Sequence, residues 1–382
     1  MPSDTEQQIS AAGLYVHVPF CSSRCVYCAF YSTTLLGERT RYVEALCREM
    51  TTRACEAEAP RRVGTVYLGG GTPSQLTAEQ LQRLFSQIFS VYDVAEGAEV
   101  TMECNPDDVT ADFAHLLASL PVNRVSMGAQ TFSDARLRFL RRRHSSRQVR
   151  EAVERLRSVG IGNISIDLIY GFPDESLEEW HADIDAALRL DVEHLSAYAL
   201  SFEEGTPLFA MLQRGEVKEA DDELQRQMYY GLKDRLQAAG YEHYEISNFA
   251  RPGLRSRHNS AYWNHTPYVG LGAGAHSFYA NKRQWNVADV STYTGDVMSG
   301  IIKREYEILD GDTLYNDLVM TALRTKQGLR MSLLDEVKAG YCMKQARKYL
   351  DCGWLKREDG CLRLTRNGLF VSDLIIADLF VV

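Results

Sequence analysis

The chain has 382 residues, of which 45% are hydrophobic, so it can bury a large core and is long enough for one barrel-sized domain plus a smaller one. Its net charge of -9, from 42 basic and 51 acidic residues, argues against the extended basic face that nucleic-acid binding requires, so nucleic acid is not an expected partner. No apolar run reaches about 18 residues, and we therefore expect no transmembrane segment.

The first predicted strand, LYVHVPF from residue 14, leads directly into a loop with the pattern CxxxCxxC. Its thiolates, from Cys21, Cys25 and Cys28, are one fewer than the four that close a cubane iron-sulfur cluster, so one iron would stay open. A zinc site would need a second Cys or His pair at matching spacing, and only His17 stands nearby. The other six cysteines are scattered through the chain, as small buried residues often are. The loop therefore predicts a [4Fe-4S] cluster with these three cysteines as metal ligands.

An open iron can take a small chelating ligand, and S-adenosylmethionine (SAM) carries an amino and a carboxylate group on one carbon. The cysteine loop resembles that of radical SAM enzymes, which use SAM as this chelator. An oxygen-sensitive cluster and unpaired cysteines predict a location in the reducing cytoplasm. The start of the chain, MPSDTEQQISAAG, agrees with that expectation because it has neither the basic nor the apolar stretch of a targeting segment.

After the cysteine loop, strand-like and helix-like segments alternate. Three of the predicted helices begin with a capping box, formed by Thr77 with Gln80, Ser145 with Gln148, and Ser176 with Glu179, and Gly160 stands where a helix should end. Repeated βα units with apolar strands predict an α/β fold with a parallel sheet, either doubly wound or a barrel, and the spacing does not choose between them. The strand candidates after the first are VGTVYLGG from residue 63, AEVTMECNP from 98, RVSMGAQT from 124, ISIDLIYG from 164 and HLSAYALS from 194.

The pattern changes after about residue 250. The segment RPGLRSRHNSAYWNHTPYVGLGAGAHSFYANKRQW is rich in Gly, aromatic residues and His without clean periodicity, and it predicts a long ordered loop region. A helical region follows from Asp312. The tail then has the order helix, helix, hairpin, helix, with a turn at Glu358 to Gly360, which suggests a small winged-helix-like domain. Because it lacks a strongly basic face, we expect a packing or gating role rather than DNA binding.

Polar residues stand at or near the carboxyl ends of the predicted strands. GGGTPS ends the second strand and contains Thr72, Glu103 ends the third, Gln130 ends the fourth with Arg142 beyond it, and Asp167 lies in the fifth. Each alone has an ordinary explanation as a turn, a solvated acid or an exposed basic run, although an unpaired carboxylate in an apolar strand is costly. Because parallel-sheet enzymes place their ligands at these strand ends, we expect the group to surround a nucleotide-like ligand.

Seven blocks of the chain, in order, resemble the oxygen-independent coproporphyrinogen oxidase-like family of radical SAM proteins, from Tyr15 to nearly the C-terminus. They are YVHVPFCSSRCVYCAF, YLGGGTPS, MECNP, NRVSMGAQTF, DLIYGFP, YEISNFARPG and HNSAYWNHTPYVGLGAGAHSF. The resemblance implies a partial (β/α)6 barrel that is open on one side and carries a C-terminal cap. It further implies a radical SAM core over residues 1–250 and a C-terminal region over 251–382, whose winged-helix-like tail spans about 312–382.

That family has two main branches, a dehydrogenase that oxidatively decarboxylates coproporphyrinogen III and the HemW-type heme chaperones. The dehydrogenases have a fourth cysteine two residues after the third, whereas this chain has Phe30 there, as the chaperones do. The block HNSAYW also resembles the chaperone signature that is associated with heme. One departure is that the family pattern Leu-Gly-Arg-x-His reads Leu140, Arg141, Arg142, Arg143, His144 here. We expect a heme chaperone, with the dehydrogenase as the alternative and coproporphyrinogen oxidation not expected.

Position by position, the resemblance implies the following residues around SAM: Tyr15, Tyr27, Gly70, Gly71, Thr72, Glu103, Gln130, Arg142 and Asp167. For heme it implies His258, Asn259, Tyr262 and Trp263, and His258, His265 and His276 are all candidates for the axial ligand. The alternative for the segment 258–278 is that its aromatic residues form a domain-interface core. The expected partners are a heme-receiving client protein, an electron donor and, as an option, a second copy of the chain.

Overall fold

The computed structural model of the chain describes residues 11–381, and its first half alternates strands and helices in the predicted order. The strands are β1 (Ala12–Val18), β2 (Arg62–Gly70), β3 (Asp93–Cys104), β4 (Arg124–Gln130), β5 (Ile164–Tyr170) and β6 (His194–Ala199). The helices that follow them are α1 (Arg39–Arg53), α2 (Ala78–Val91), α3 (Ala111–Ser119), α4 (Asp134–Phe139), α5 (Ser146–Ser158), α6 (Leu177–Arg189), α7 (Pro207–Gln213) and α8 (Asp222–Ala238). The six predicted strands are confirmed.

These strands pair in parallel and in chain order, each with the next. Because helices cover the sheet, the strands are apolar nearly throughout, as parallel strands usually are. In β1 and in β5 six of the seven positions are buried, and the exceptions are Tyr15 and Asp167. Tyr15 and Asp167 therefore mark the less buried face of these strands.

The helix ends follow the predicted local signals. The capping boxes at Thr77, Ser145 and Ser176 are all present, so each of these helices begins where its sequence predicts. Gly160 has a φ of 90°, in the left-handed region that favours glycine, and it stands two residues after α5 ends at Ser158. Local chemistry thus sets the lengths of the helices that cover the sheet.

The prediction of a long loop region after residue 250 is wrong. Strands β7 (Glu242–Glu245) and β8 (Asn248–Ala250) precede that region. The region itself forms α9 (Arg257–Trp263), β9 (Tyr268–Leu271), β10 (His276–Tyr279), β11 (Lys282–Asn286), α10 (Val290–Met298) and β12 (Arg304–Ile308). Strand β9 pairs in parallel with β1, and β10 to β12 extend the same sheet in antiparallel pairs. These strands have only three to five residues, which is too short for a periodic signal.

Within residues 11–381 the sheet has twelve strands, and it does not close on itself. The second neighbour of β1 is β9, and the second neighbour of β6 is β8, which runs antiparallel to it. The six parallel strands therefore form an incomplete barrel, as the family resemblance implies.

The predicted order of the tail, helix, helix, hairpin and helix, is only partly met, because after the helical region at Gly311–Leu323 one helix precedes the hairpin and two short helices follow it. The C-terminal region comprises α11 (Gly311–Leu323), β13 (Leu329–Arg330), α12 (Glu336–Asp351), β14 (Leu355–Glu358), β15 (Cys361–Leu364), α13 (Arg366–Leu369) and α14 (Ser372–Leu379). Asp359 and Gly360 have φ values of 52° and 74°, as a type I′ hairpin turn requires. A separate set of buried side chains, including Tyr315, Leu329 and Ile375, holds these elements together.

No helix in the described part of the chain is both long and apolar enough to cross a membrane. The first ten residues, which contain most of the segment used for the prediction of cellular location, lie outside the described residues. The location therefore stays a prediction.

Candidate functional site

A cavity of about 620 Å³ opens at the carboxyl ends of the six parallel strands. It is lined by the cysteine loop after β1 and by side chains from β2 to β6. Of the predicted site residues, those that line it are Cys21, Cys25, Tyr27, Cys28, Gly70, Gly71, Thr72, Glu103, Gln130, Arg142, Asp167 and Asn259. Those that do not line it are Tyr15, His258, Tyr262 and Trp263. The structure thus brings together the cluster group and nearly all of the SAM group.

The cysteine loop is fixed at its base by backbone hydrogen bonds. The amide of Cys21 donates to the Thr33 carbonyl at 2.9 Å, and the Thr33 amide donates to the Pro19 carbonyl at 2.7 Å. All three cysteines of the loop are half-buried. Burial raises the pKa of the thiols of Cys21 and Cys28, so both are protonated at neutral pH unless a metal binds them.

The three thiols fit a cluster better than a single metal ion. Among residues 11–381 no group of three or more His, Cys, Asp or Glu side chains is arranged to hold one ion. A four-iron cluster makes a different demand, because each thiolate binds its own iron. A cation stands beside the trio, since the Nη1 of Arg142 lies 3.6 Å from the Sγ of Cys25, and Thr72 Oγ1 lies 3.5 Å from the Sγ of Cys21. A guanidinium there would stabilise an anionic cluster.

The glycines at the end of β2 let this strand approach the cysteine loop closely. The Gly71 amide donates to the Val18 carbonyl at 2.9 Å. A Cβ at Gly71 would lie 2.5 Å from the carbonyl carbon of Pro19, and a Cβ at Gly70 would lie 2.5 Å from the imidazole of His17. Gly70 also has a φ of 113°, which side chains rarely adopt. The glycines of GGGTPS are therefore required by packing against the loop that carries the cysteines.

Two carboxylates, those of Glu103 and Asp167, line the cavity. Glu103 accepts hydrogen bonds from the Tyr67 hydroxyl at 2.7 Å and from the Gly70 amide at 3.1 Å. Desolvation, reinforced by the charge of Asp167, nevertheless raises the pKa of Glu103 to about 7. Desolvation also raises the pKa of Asp167 to about 6, against the lowering effects of a hydrogen bond from Ser196, the charge of Arg124 and a hydrogen bond from Ser126. Both acids would be stabilised as anions by a cationic ligand group.

Gln130 and Arg142 form the wall after β4. Gln130 has a φ of 66°, a strained backbone for a residue other than glycine, and its side-chain amide lies over Gly128. Arg142 donates from Nη2 to Asn105 Oδ1 at 2.8 Å and to the Gly128 carbonyl at 2.7 Å. The preceding Arg141 has a φ of 58°, which explains why the family pattern has glycine there. Arg142 lines the cavity even though Arg141 stands where the family pattern has glycine.

The block HNSAYW lies in helix α9, which packs against the sheet and is called the floor of the sheet. His258 is 1% exposed, its Nδ1 lies 2.8 Å from Thr65 Oγ1, and its Nε2 lies 2.9 Å from the Tyr262 hydroxyl. Burial lowers the pKa of His258 to about 3, so its imidazole is neutral. Trp263 packs beneath the guanidinium of Arg324, 5.4 Å from the ring centre. Both ring nitrogens of His258 therefore already have a hydrogen-bond partner.

The other two axial-ligand candidates differ in exposure. The Nε2 of His265 lies 2.9 Å from Thr321 Oγ1, at the start of the tail. His276 on β10 is exposed, and its ring stacks on that of Trp285 with centres 5.8 Å apart. Its imidazole makes no hydrogen bond within the described part of the chain. Of the three histidines, His276 has the imidazole that is open to a ligand.

Sequence reasoning missed several residues that line the same cavity, namely Tyr67, Asn105, Arg124, Ser126, Ser165 and Ser196. Most of them share one property, which is that they recur at every second position of an apolar strand. Ser165 and Asp167 alternate in β5, as do Arg124 and Ser126 in β4. Because successive side chains of a strand point to opposite faces, this alternation was the signal that could have found them.

Comparison with known proteins agrees with the geometry. The family model of the Radical SAM superfamily matches residues 15–187, and that of the HemN C-terminal domain matches residues 309–371. The heme chaperone HemW of Mycobacterium tuberculosis is 36% identical over 96% of this chain and 94% of its own length. HemW of Escherichia coli K12 is 38% identical over 69% of each chain. The bovine radical S-adenosyl methionine domain-containing protein 1, mitochondrial, is 35% identical over 96% of this chain and 87% of its own.

Among solved structures, the coproporphyrinogen III oxidase HemN from Escherichia coli superimposes with a TM-score of 0.83. The match covers 97% of this chain and 90% of that one, at 22% sequence identity. At this identity the likeness establishes the fold, which is the α/β fold of radical SAM proteins.

Proposed function

This chain belongs to the radical SAM superfamily and, within it, to the family of the heme chaperone HemW, and we propose that it binds heme and transfers it to a client hemoprotein. The observation that carries the proposal is the exposed imidazole of His276, stacked on Trp285 at the open side of the sheet. A carrier must release its cargo, so an iron ligand on a short, accessible strand suits it better than one in a closed core. Imidazole is a common axial ligand of heme iron.

We further propose that Cys21, Cys25 and Cys28 hold a [4Fe-4S] cluster whose open iron binds SAM. When reduced, such a cluster supplies the electron that cleaves the sulfonium bond of SAM. The chain itself would hold the ligand. Glu103 and Asp167 would accept hydrogen bonds from its cationic and hydroxyl groups, and the remaining proposed SAM residues are Tyr15, Tyr27, Gly70, Gly71, Thr72, Gln130 and Arg142.

The partners that this function requires are an electron donor and a heme-receiving client. The nine free cysteines of the chain suit a reducing compartment, and we propose the cytoplasm. A homodimer stays a further option, which the oligomeric state in solution would test.

The proposal assigns the axial ligand to His276, whereas the family signature points to His258. Using His258 would require breaking its bonds to Thr65 and Tyr262, at about 1 kcal/mol net for each. His258, Asn259, Tyr262 and Trp263 therefore stay a predicted heme site that needs an opened floor. The two assignments lead to opposite results in one experiment.

The test is an optical titration of the anaerobically reconstituted protein with heme, followed by transfer to apomyoglobin. We expect His276→Ala to weaken heme binding about tenfold or more, and His258→Gln to leave the affinity close to that of the wild type. His115→Ala, an exposed histidine on α3, serves as the control. Loss of binding in His258→Gln alone would favour the signature site, and a wild type that binds no heme would refute the function.

The alternative function is oxidation of coproporphyrinogen III. Phe30, which stands where the dehydrogenases have a cysteine, is 74% exposed at the mouth of the cavity and cannot supply a thiol. We therefore expect no formation of protoporphyrinogen IX by the reduced protein with SAM. Sustained decarboxylation of coproporphyrinogen III in that assay would assign the chain to the dehydrogenase branch.

A further inference from the structure

The inner end of the cavity contains a buried arginine. Arg124 is the first residue of β4 and is 1% exposed, yet it lines the cavity. Its register partner on β3 is Thr101, whereas Ser126 is the partner of Glu103. Arg124 is therefore two residues deeper than the level of Glu103, about 7 Å along the strand. It stands below the residues that are proposed to hold SAM.

The guanidinium of Arg124 lacks the partners that a buried cation normally has. Its Nε donates to no atom of the described chain, and it takes part in none of the ion pairs between residues 11 and 381. Arg53, which is equally buried, also has an Nε without a hydrogen-bond partner, but its terminal nitrogens donate to Ser277 and Tyr279 and pair with Glu49. Burying an unpaired cation is costly, so such a group points to a ligand.

The neighbouring acids do not fill that role. Glu103 accepts hydrogen bonds from Tyr67 and Gly70, and the positive charge of Arg124 lowers the pKa of both Glu103 and Asp167, although neither carboxylate forms an ion pair with its guanidinium. Once these carboxylates accept hydrogen bonds from the cationic groups of SAM, Arg124 would remain the one charge at the inner end without a counterion.

The groups just above the arginine, at the level of Glu103, include small neutral side chains. Ser165 and Ser126 contribute small hydroxyl side chains to the same wall, and Asn259 contributes an amide from α9. A guanidinium surrounded by hydroxyl and amide groups is suited to a planar oxyanion, which it can bind with two parallel hydrogen bonds. Small side chains next to the arginine also leave room for such a group.

We propose that Arg124 is a binding residue for the carboxylate of a second ligand that reaches below SAM. A cavity of about 620 Å³ that would also hold SAM has no room for a macrocycle, so a macrocycle would place only a carboxylate arm at this depth. The source of the carboxylate is then either a propionate of heme, which rests on the proposed function, or a separate small carboxylic acid. The chemistry at Arg124 is the same for both.

The first arm of the test compares heme with its dimethyl ester, in which both propionates are neutral. We expect Arg124→Gln to weaken heme binding about ten- to hundredfold, as loss of a charge-assisted hydrogen bond does, and to leave binding of the ester unchanged. Arg124→Lys should retain part of the affinity because it keeps the charge and loses the fork. The control is Arg155→Gln on α5, a half-buried arginine outside the cavity whose guanidinium donates to Val109 and Glu151. Calorimetry with SAM should give the same affinity for the wild type and Arg124→Gln.

The second arm does not depend on heme. Sodium propionate, compared with sodium chloride at equal ionic strength, should raise the melting temperature of the wild type and of Arg155→Gln but not of Arg124→Gln. Stabilisation by propionate without a heme effect would assign the site to a small acid and would count against the propionate source. If heme, its ester and propionate all fail to distinguish the wild type from a folded Arg124→Gln or Arg124→Lys, or if only SAM affinity falls, the proposal is wrong. A wild type that binds no heme would refute the proposed function while leaving this arm decisive.

Discussion

The imidazole Nδ1 of His258 lies 2.8 Å from the hydroxyl of Thr65 and so joins helix α9 to strand β2. Glu99 on β3 strengthens this connection, because its carboxylate accepts hydrogen bonds from the backbone amides of Arg257 and His258, each at 2.9 Å. The first turn of α9 is thereby attached to two strands of the sheet. Helix α9 should therefore stabilise the folded protein, and changes in HNSAYW should alter the free energy of unfolding.

We predict that His258→Ala lowers the free energy of unfolding by about 2–4 kcal/mol, because it leaves a cavity and removes partners from Thr65 and Tyr262. Tyr262→Phe, which removes one hydroxyl, should cost about 1 kcal/mol. Urea unfolding of the cluster-free protein measures both. The surface change His115→Ala should stay within about 0.5 kcal/mol. Equal stability of His258→Ala and the wild type would contradict the structural role of α9.

A second prediction concerns the contact between β2 and the cysteine loop. Gly71→Ala would place a methyl group 2.5 Å from the carbonyl carbon of Pro19, which is backbone and cannot rotate away. The loop must shift, so we expect the reconstituted protein to lose most of its iron. Gly162→Ala is the matched control, because a Cβ there meets no atom within 4 Å. Full iron content in Gly71→Ala would show that the loop tolerates displacement.

The third prediction follows from the strained backbone after α4. Arg141 has a φ of 58°, which costs a residue with a side chain about 1–2 kcal/mol, whereas glycine gives up about 0.5–1 kcal/mol in chain entropy. Arg141→Gly should therefore raise the free energy of unfolding by about 0.5–1 kcal/mol. Arg138→Gly, inside α4, should lower it by about 1 kcal/mol. Thermal unfolding of the two variants would give the same sign if backbone strain were not the cause.

The sequence predicted the parallel strands and the cysteine loop because their signals are local. Apolar runs, capping boxes and the CxxxCxxC spacing are complete within short segments, and the hairpin turn of the tail is equally local. Strands β9 to β12 were missed because each is stabilised by its neighbour in the sheet rather than by its own pattern. These strands continue the main sheet to residue 308, so the sheet itself does not end at the predicted domain boundary at residue 250. That boundary stays a prediction, which limited proteolysis would test.

The site residues that were predicted from sequence are mainly polar residues at the carboxyl ends of strands, such as Glu103 and Gln130. The site was missed at Arg124, which stands at the amino end of β4 rather than at its carboxyl end, because an isolated arginine in a sequence carries no information on burial or partners. The heme residues present the reverse case. The resemblance of HNSAYW to a signature could not reveal that His258 is buried with both ring nitrogens occupied, since that depends on Thr65, which is far away in sequence.

The fourth prediction is a pH dependence carried by Glu103. Desolvation first, and then the charge of Asp167, raises the pKa of Glu103 from 4.5 to about 7. The folded protein therefore keeps a proton that the unfolded chain releases, so this group's contribution to stability is full below pH 4.5 and is lost as the pH rises through about 7. In Glu103→Gln that loss is absent. Between pH 5 and pH 8 the wild type should lose about 1–3 kcal/mol of unfolding free energy relative to the variant.

Binding of SAM should show the opposite trend, because the carboxylate that accepts hydrogen bonds from a cationic ligand is the ionised form. We expect the affinity of the wild type for SAM, measured by calorimetry, to rise as the pH increases from 6 to 8 and Glu103 with its pKa of about 7 ionises. Glu103→Gln should bind SAM about ten- to hundredfold more weakly at pH 8 and lose most of this dependence. Asp167, whose pKa of about 6 lies lower, remains in both proteins and gives the variant a smaller residual dependence. Parallel curves for the wild type and Glu103→Gln would remove Glu103 from the SAM site.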